Sequence, residues 1–290
     1  MLPKVFDKKI NVREVSISKI HYTKENNIKL YPYLVSSAPN EQIVANVASP
    51  LHGRSIIIDF DSSLNKYVIT KGNGLTYFPF GYISTEEYED HSWGFLREKD
   101  AIRDYNSGNY ISNLGILTNE MEAVFSVEKQ ELRYLNQTLE IEPIILQYKI
   151  ICPYRISDIP FLSKELVLSF INNWVNLFEI YYTETHCNAA EILISNIKTM
   201  HENEVLHNAI HSQNYTLSLE LLDFELSRTP ITPYENENDE QLCKKLQKRE
   251  IIQSLEIVNQ IAFYFKENIN TRILRQIMNK YGFGNYLSSF

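Results

Sequence analysis

Apolar and polar residues alternate along this chain with two different periods. Up to about residue 150 the apolar positions come in short β-rich runs: Ser55–Phe60, Lys66–Thr70 and Ile144–Ile151. Turn-forming clusters bound them, among them Ser49-Pro50, His52-Gly53 and Lys71–Gly74. Beyond about residue 160 the spacing becomes helical. Leu166, Phe170, Trp174, Leu177 and Tyr181 recur at intervals of four, four, three and four, which predicts one shared helix face. Asn188 followed by Glu191 resembles a capping box and predicts a second helix through Leu193, Ile197 and Met200. A third helix is expected through Ile251, Leu255, Val258, Ala262 and Phe265. A fourth runs through Ile273, Ile277 and Tyr281, with Gly282 just past its end. These stripes are core-facing.

One segment breaks the helical half. Tyr215–Asp223 sets Leu217, Leu219 and Leu221 against Thr216, Ser218 and Glu220, the period of a strand. Glu235–Glu240 is charged and turn-rich, and reads as a solvated loop. The expected architecture is therefore α+β and bilobal, with a β-rich lobe over 1–150 and a mainly helical lobe over 151–290. That is the layout of a protein-kinase-like fold, although layout alone is an analogy.

Composition narrows the function classes. Of 290 residues 44% are hydrophobic and 22% charged, an ordinary globular balance. Lys+Arg number 28 and Asp+Glu 36, so the net charge of −8 argues against binding nucleic acid through its phosphates. No apolar run reaches the roughly 18 residues of a membrane span, and no leader-like segment opens the chain. Cys152, Cys187 and Cys243 lie far apart without a CxxC pair. A cytoplasmic, membrane-free protein is the expectation.

The densest polar cluster is His207–Asn214, followed by Asp223-Phe224-Glu225. An amide oxygen and a carboxylate are hard ligands that suit Mg²⁺ beside phosphate. Kinases use a catalytic-loop Asn and a DFG Asp in this way. The interval from His207 to Asn214 is seven residues, as in H-R-D-x-x-x-x-N, but Ala209 stands where a kinase has its base. His207 and His211, with His201, also offer a zinc-chelating reading, which the absence of a following Glu weakens. A second cluster, Lys71-Gly72-Asn73-Gly74-Leu75-Thr76, ends a predicted strand. Its glycines, lysine and hydroxyl suit a phosphate, and a plain hairpin turn explains them equally well.

The order of these pieces resembles the selenoprotein O family of kinase-like adenylyltransferases. That family carries an LGDGRA-type glycine loop, a strand ending in LKGxGxT, an REFL segment, LGIPT, two arginines, and HGxxNTDNxS followed by IDYG. The matching pieces are Pro50–Ser55, Ile69–Thr76, Phe95–Glu98, Leu114–Thr118, His207–Thr216 and Leu222–Glu225. Fragments are also shared with aminoglycoside and choline kinase-like phosphotransferases, through His211 and Asp223–Glu225, and with siderophore synthetases, through His211–Asn214.

The resemblance implies ATP and Mg²⁺ as cofactors. It makes Lys71 the phosphate-binding lysine and Asn214 and Asp223 the metal ligands. Gly53 and Arg54 belong to the glycine loop, and Gly72, Gly74 and Thr76 to the phosphate turn. Glu98 becomes the partner of Lys71, and Lys149 and Arg155 the pocket cations. Gly94 and Gln213 depart from the family pattern. The implied reaction is transfer of AMP to a Ser, Thr or Tyr hydroxyl of a protein substrate. The alternatives are γ-phosphate transfer, or an inactive nucleotide-binding pseudokinase that serves as an interaction module.

Overall fold

The computed structural model describes residues 9–36, 43–49, 52–74, 94–134, 137–233 and 240–289. Pro50, Leu51 and Thr76, the side chain of Arg54, and most of the Glu235–Glu240 stretch lie outside the described residues. The chain forms two compact units. One comprises the residues through Tyr105 together with Asn119–Pro153; the other comprises Asn106–Thr118 together with the chain from Tyr154 onward. The first is β-rich and the second mainly helical, so the α+β class and its order along the chain are as expected.

The first unit is built on an eight-stranded sheet. Its strands are β1 (Lys9–Glu14), β2 (Ile17–Thr23), β3 (Tyr33–Val35), β4 (Ile43–Ser49), β5 (His52–Asp61), β6 (Lys66–Lys71), β7 (Glu120–Val127) and β10 (Ile144–Ile150). The spatial order is β2-β7-β10-β6-β5-β4-β1-β3, and the pairings are antiparallel. β8 (Gln130–Tyr134) and β9 (Gln137–Ile141) form a separate hairpin. The predicted runs at Ser55, Lys66 and Ile144 are thus β5, β6 and β10. Strand alternation sends Ala123, Phe125 and Val127 of β7 into one apolar cluster with Val15, Leu34 and Ile145. Helix α1 (Glu98–Asn113) follows β6; its first eight residues belong to the first unit and the remainder to the second.

The second unit contains α2 (Lys164–Ile171), α3 (Trp174–Phe178), α4 (Thr185–Glu202), α5 (Glu240–Phe265) and α6 (Thr271–Lys280). A 3-10 segment over Ile156–Phe161 precedes them. The single helix expected through Leu166 and Tyr181 is two short ones. Asn172 and Asn173 separate them, and Glu179 closes the second in the left-handed region at φ +53°. Val167, Ile171 and Trp174 are the buried positions, while Leu177 and Tyr181 are exposed. α4 begins before Asn188, whose side chain bonds the backbone of Tyr182 instead of opening the helix. The stripe Ile251, Leu255, Val258 and Ala262 on α5 is buried, and α5 packs along α4. Past α6, Gly282 adopts φ +80° and the following amide, Phe283 N–H, reaches back to the Met278 carbonyl.

Candidate functional site

In the second unit the segment expected as a strand is a tight hairpin. Tyr215 and Leu221 bridge antiparallel, and the Thr216 N–H donates to the Glu220 carbonyl at 3.0 Å. Leu219 lies at the tip with φ +59°. Thr216 through Glu220 are all buried, so the leucine alternation does not separate a wet face from a dry one. The Thr216 hydroxyl takes the N–H groups of Ser218 and Glu220 and so closes the turn.

This hairpin brings the two expected metal ligands side by side. The Leu222 N–H donates to the Asn214 carbonyl at 2.9 Å, so Asp223 follows directly on a residue paired with Asn214. The Asn214 side chain is 2% exposed, and its Nδ2 donates to the Ala209 carbonyl at 2.9 Å. That bond fixes the amide orientation. The remaining oxygen, Oδ1, is buried and accepts no hydrogen bond from any described residue. Asp223 is half-buried at φ +67°, a region that Asp tolerates, and its carboxylate lies within 4.8 Å of that of Glu225.

A buried scaffold holds the loop that precedes Asn214. The His207 ring accepts the Ala209 N–H at Nδ1, which leaves Nε2 to donate to the Leu222 carbonyl at 2.9 Å. The ring also meets Phe224 edge-on. Burial holds the His207 pKa below its ordinary value, against the opposing charges of Glu250 and Asp223. His211 is lowered for the same first reason, with Arg155 adding to it. Glu250 on α5 is fully buried and receives the Asn208 N–H at 2.6 Å and His201 Nε2 at 2.8 Å. Sequence reasoning missed Glu250. Its signal is an acid four residues before Ser254 on the buried side of α5, where only a partnered carboxylate belongs.

The zinc reading does not survive this arrangement. His207 and His211 are not on a helix, both ring nitrogens of His207 are hydrogen-bonded within the fold, and His201 pairs with Glu250. Arg155, 6% exposed, bridges Thr216 and gives a guanidinium N–H to the Gln213 carbonyl. It therefore braces the residue before Asn214.

In the first unit Lys71 ends β6, the third of the consecutive neighbours β4, β5 and β6. It is 5% exposed, and its Nζ lies 2.9 Å from the carboxylate of Asp104, itself 1% exposed. The expected partner Glu98 is a correction. It is half-exposed and sits beside His21 Nδ1 at 3.0 Å and Lys19 at 3.5 Å. Six helical residues separate it from Asp104, an axial offset of about 9 Å.

Lys149 is also corrected as a cation acting with Lys71. Lys71 lies opposite Leu146, whereas Lys149 lies opposite Val68, three residues before Lys71. An odd interval on a strand points to the other face. There Lys149 meets Asp61 at 3.0 Å and Glu122 at 2.8 Å. Burial lowers the Lys149 pKa, but the two carboxylates more than offset it and leave it raised. Glu122 reaches this face through a bulge: Gln147 pairs with Ala123 and Tyr148 with Met121, which leaves Glu122 as the extra residue.

The turn after Lys71 has a structural cause of its own. Gly72 has φ +98°, and a Cβ there would lie 2.2 Å from the Ile144 carbonyl oxygen. Asn73 is buried, donates to the Tyr33 carbonyl at 2.7 Å and receives the Val35 N–H at 2.8 Å. Gly74, at φ +99°, approaches the Phe95 ring. Gly53 lies in β5.

No protein-family model matches the chain, and no curated protein matches it. Among solved structures it is similar to ROP2 from Toxoplasma gondii, a virulence factor with a protein-kinase fold and no enzymatic activity. That alignment has 11% identity and a TM-score of 0.41 over 94% of this chain and 79% of that one. It is also similar to the ROP18 kinase domain in complex with AMP-PNP and sucrose, at 10% identity and a TM-score of 0.34, over 85% of this chain and 81% of that one. Neither likeness shows membership of the selenoprotein O family, and at these scores neither carries the functional argument. The residues have to carry it.

Proposed function

We propose that this chain is a kinase-like pseudoenzyme that binds ATP with Mg²⁺ and acts as an interaction module. One observation carries the reading: the buried, unpartnered Oδ1 of Asn214, held beside Asp223 by the 214–222 hairpin. An orphaned buried carbonyl oxygen costs about 1–3 kcal/mol, and a cation relieves that cost. The oxygen donors Asn214 and Asp223 fit Mg²⁺, which supplies charge neutralisation of the phosphates when bound. The buried Lys71–Asp104 pair corresponds to the kinase pairing of a strand lysine with an acid on the following helix. Ala209 stands at the position where a kinase holds the carboxylate that accepts the hydroxyl proton.

Transfer of AMP to a protein Ser, Thr or Tyr is the second reading. Its support is that a lysine, an arginine and two metal-ligand candidates persist where the base does not, and nucleotidyl transfer leans chiefly on positioning and charge. The opposite facing of Lys149 from Lys71 weighs against it. The test uses ATP labelled at the α- or γ-phosphate, with and without Mg²⁺, alongside thermal melting. Saturation at about a hundred times Kd is expected to stabilise the chain by about 2.7 kcal/mol, only with Mg²⁺, and without label transfer. Incorporation of α-label would establish AMP transfer, and incorporation of γ-label a kinase. Absence of any Mg²⁺-dependent shift would overturn nucleotide binding.

A further inference from the structure

We infer that a groove in the second unit docks an acidic peptide segment of a partner protein, anchored by apolar side chains. Ile159, Leu162 and Val167 form one wall, and Tyr264 and Phe265 at the end of α5 form the other. The space in the groove is about 310 Å³. This is at the lower end of ligand-site volumes and suits one or two side chains better than a whole cofactor. The exposed Phe263 ring lies 6.1 Å from that of Tyr264 and extends the apolar surface.

Charge selects the occupant. Lys164 and Lys266 line the groove, and both are exposed. The carboxylates next to them in sequence have partners of their own and do not line the groove. Glu165 accepts from its own backbone N–H and from the Ser163 hydroxyl at the start of its helix, and feels Lys164 only as a weaker charge. Glu267 receives the N–H groups of Thr185 and His186 as well as the His186 ring. The nearby Asp158 is buried and receives the Arg155 N–H. Among the described residues lining the groove the charged ones are these two lysines, complementary to carboxylates flanking an apolar anchor. The inference does not depend on nucleotide binding.

Fluorescence anisotropy with the whole chain tests it. The probe is a fluorescein-labelled peptide Glu-Asp-Leu-Glu-Asp-Phe-Glu-Asp, and the control carries Lys at every acidic position. Saturable binding of the acidic probe is expected, weakened at least about tenfold by Lys164→Glu with Lys266→Glu, two exposed sites that leave the fold intact. The same double variant should gain affinity for the basic control. Leu162→Asp, checked for folding by circular dichroism, should abolish binding of either peptide. Equal binding of both peptides, no saturable binding, or indifference to the charge reversal would overturn the inference. So would a concentration-dependent dimer that the same variants dissolve, because the occupant would then be a second copy.

Discussion

Lys71 and Asp104 form an ion pair at 2.9 Å in which neither side chain is more than 7% exposed. Removing one member of such a pair strands a charge, whereas replacing both with apolar groups does not. Asp104→Ala should therefore cost about 3–5 kcal/mol in urea unfolding, and Lys71→Met with Asp104→Leu distinctly less. A double variant as unstable as the single one would show that the pair is not the coupled unit.

Asn214 separates binding from stability. Asn214→Ala loses the bond to Ala209 but also removes the orphaned oxygen, so the ligand-free protein should change by only about 1 kcal/mol. The Mg²⁺-dependent melting shift with ATP should vanish in the same variant.

The histidines set an acid limit. Burial disfavours the charged form of the fully buried His207, with the more exposed His211 shifted in the same direction, while the unfolded chain takes up protons below about pH 6.5. More protons bound in the unfolded state means that stability rises with pH through that window. It should hold steady above about pH 7 and fall between about pH 6.5 and 5.5. His207→Gln, which retains a donor for the Leu222 carbonyl, should flatten part of that slope in denaturant titrations at the two pH values.

Two glycines with similar φ should behave differently. Gly115, at φ +82°, has open space where a Cβ would go, so Gly115→Ala bears only left-handed strain of about 1 kcal/mol. Gly72→Ala adds a clash with the Ile144 carbonyl and should cost distinctly more than that. Melting temperatures of the two variants provide the comparison.

The legible parts of the chain were those where one period meets one environment. β5, β6 and β10, and the stripe on α5, follow from alternation or helical spacing alone. The spacing through Leu166 and Tyr181 misled because Asn172 and Asn173 end α2 within an unbroken apolar rhythm. At Tyr215–Asp223 alternation carried no information, since polar and apolar residues alike are buried. The interval between Asn214 and Asp223 was readable, and the hairpin explains it. Asp104 was not, because the partner of Lys71 depends on where α1 lies along the sheet, which no local pattern encodes. The facing of Lys149 follows from strand period only once the register of β10 on β6 is known.

The hairpin between Asn214 and Asp223 also behaves as a ruler. Its length is set by the bridge of Tyr215 to Leu221 and the bond from Leu222 to Asn214, both of which are counted in residues. A single insertion or deletion in the turn would rotate Asp223 away from Asn214 without removing either side chain. Substitutions at the tip, by contrast, change packing but not the count. The segment should thus tolerate altered letters far better than altered length.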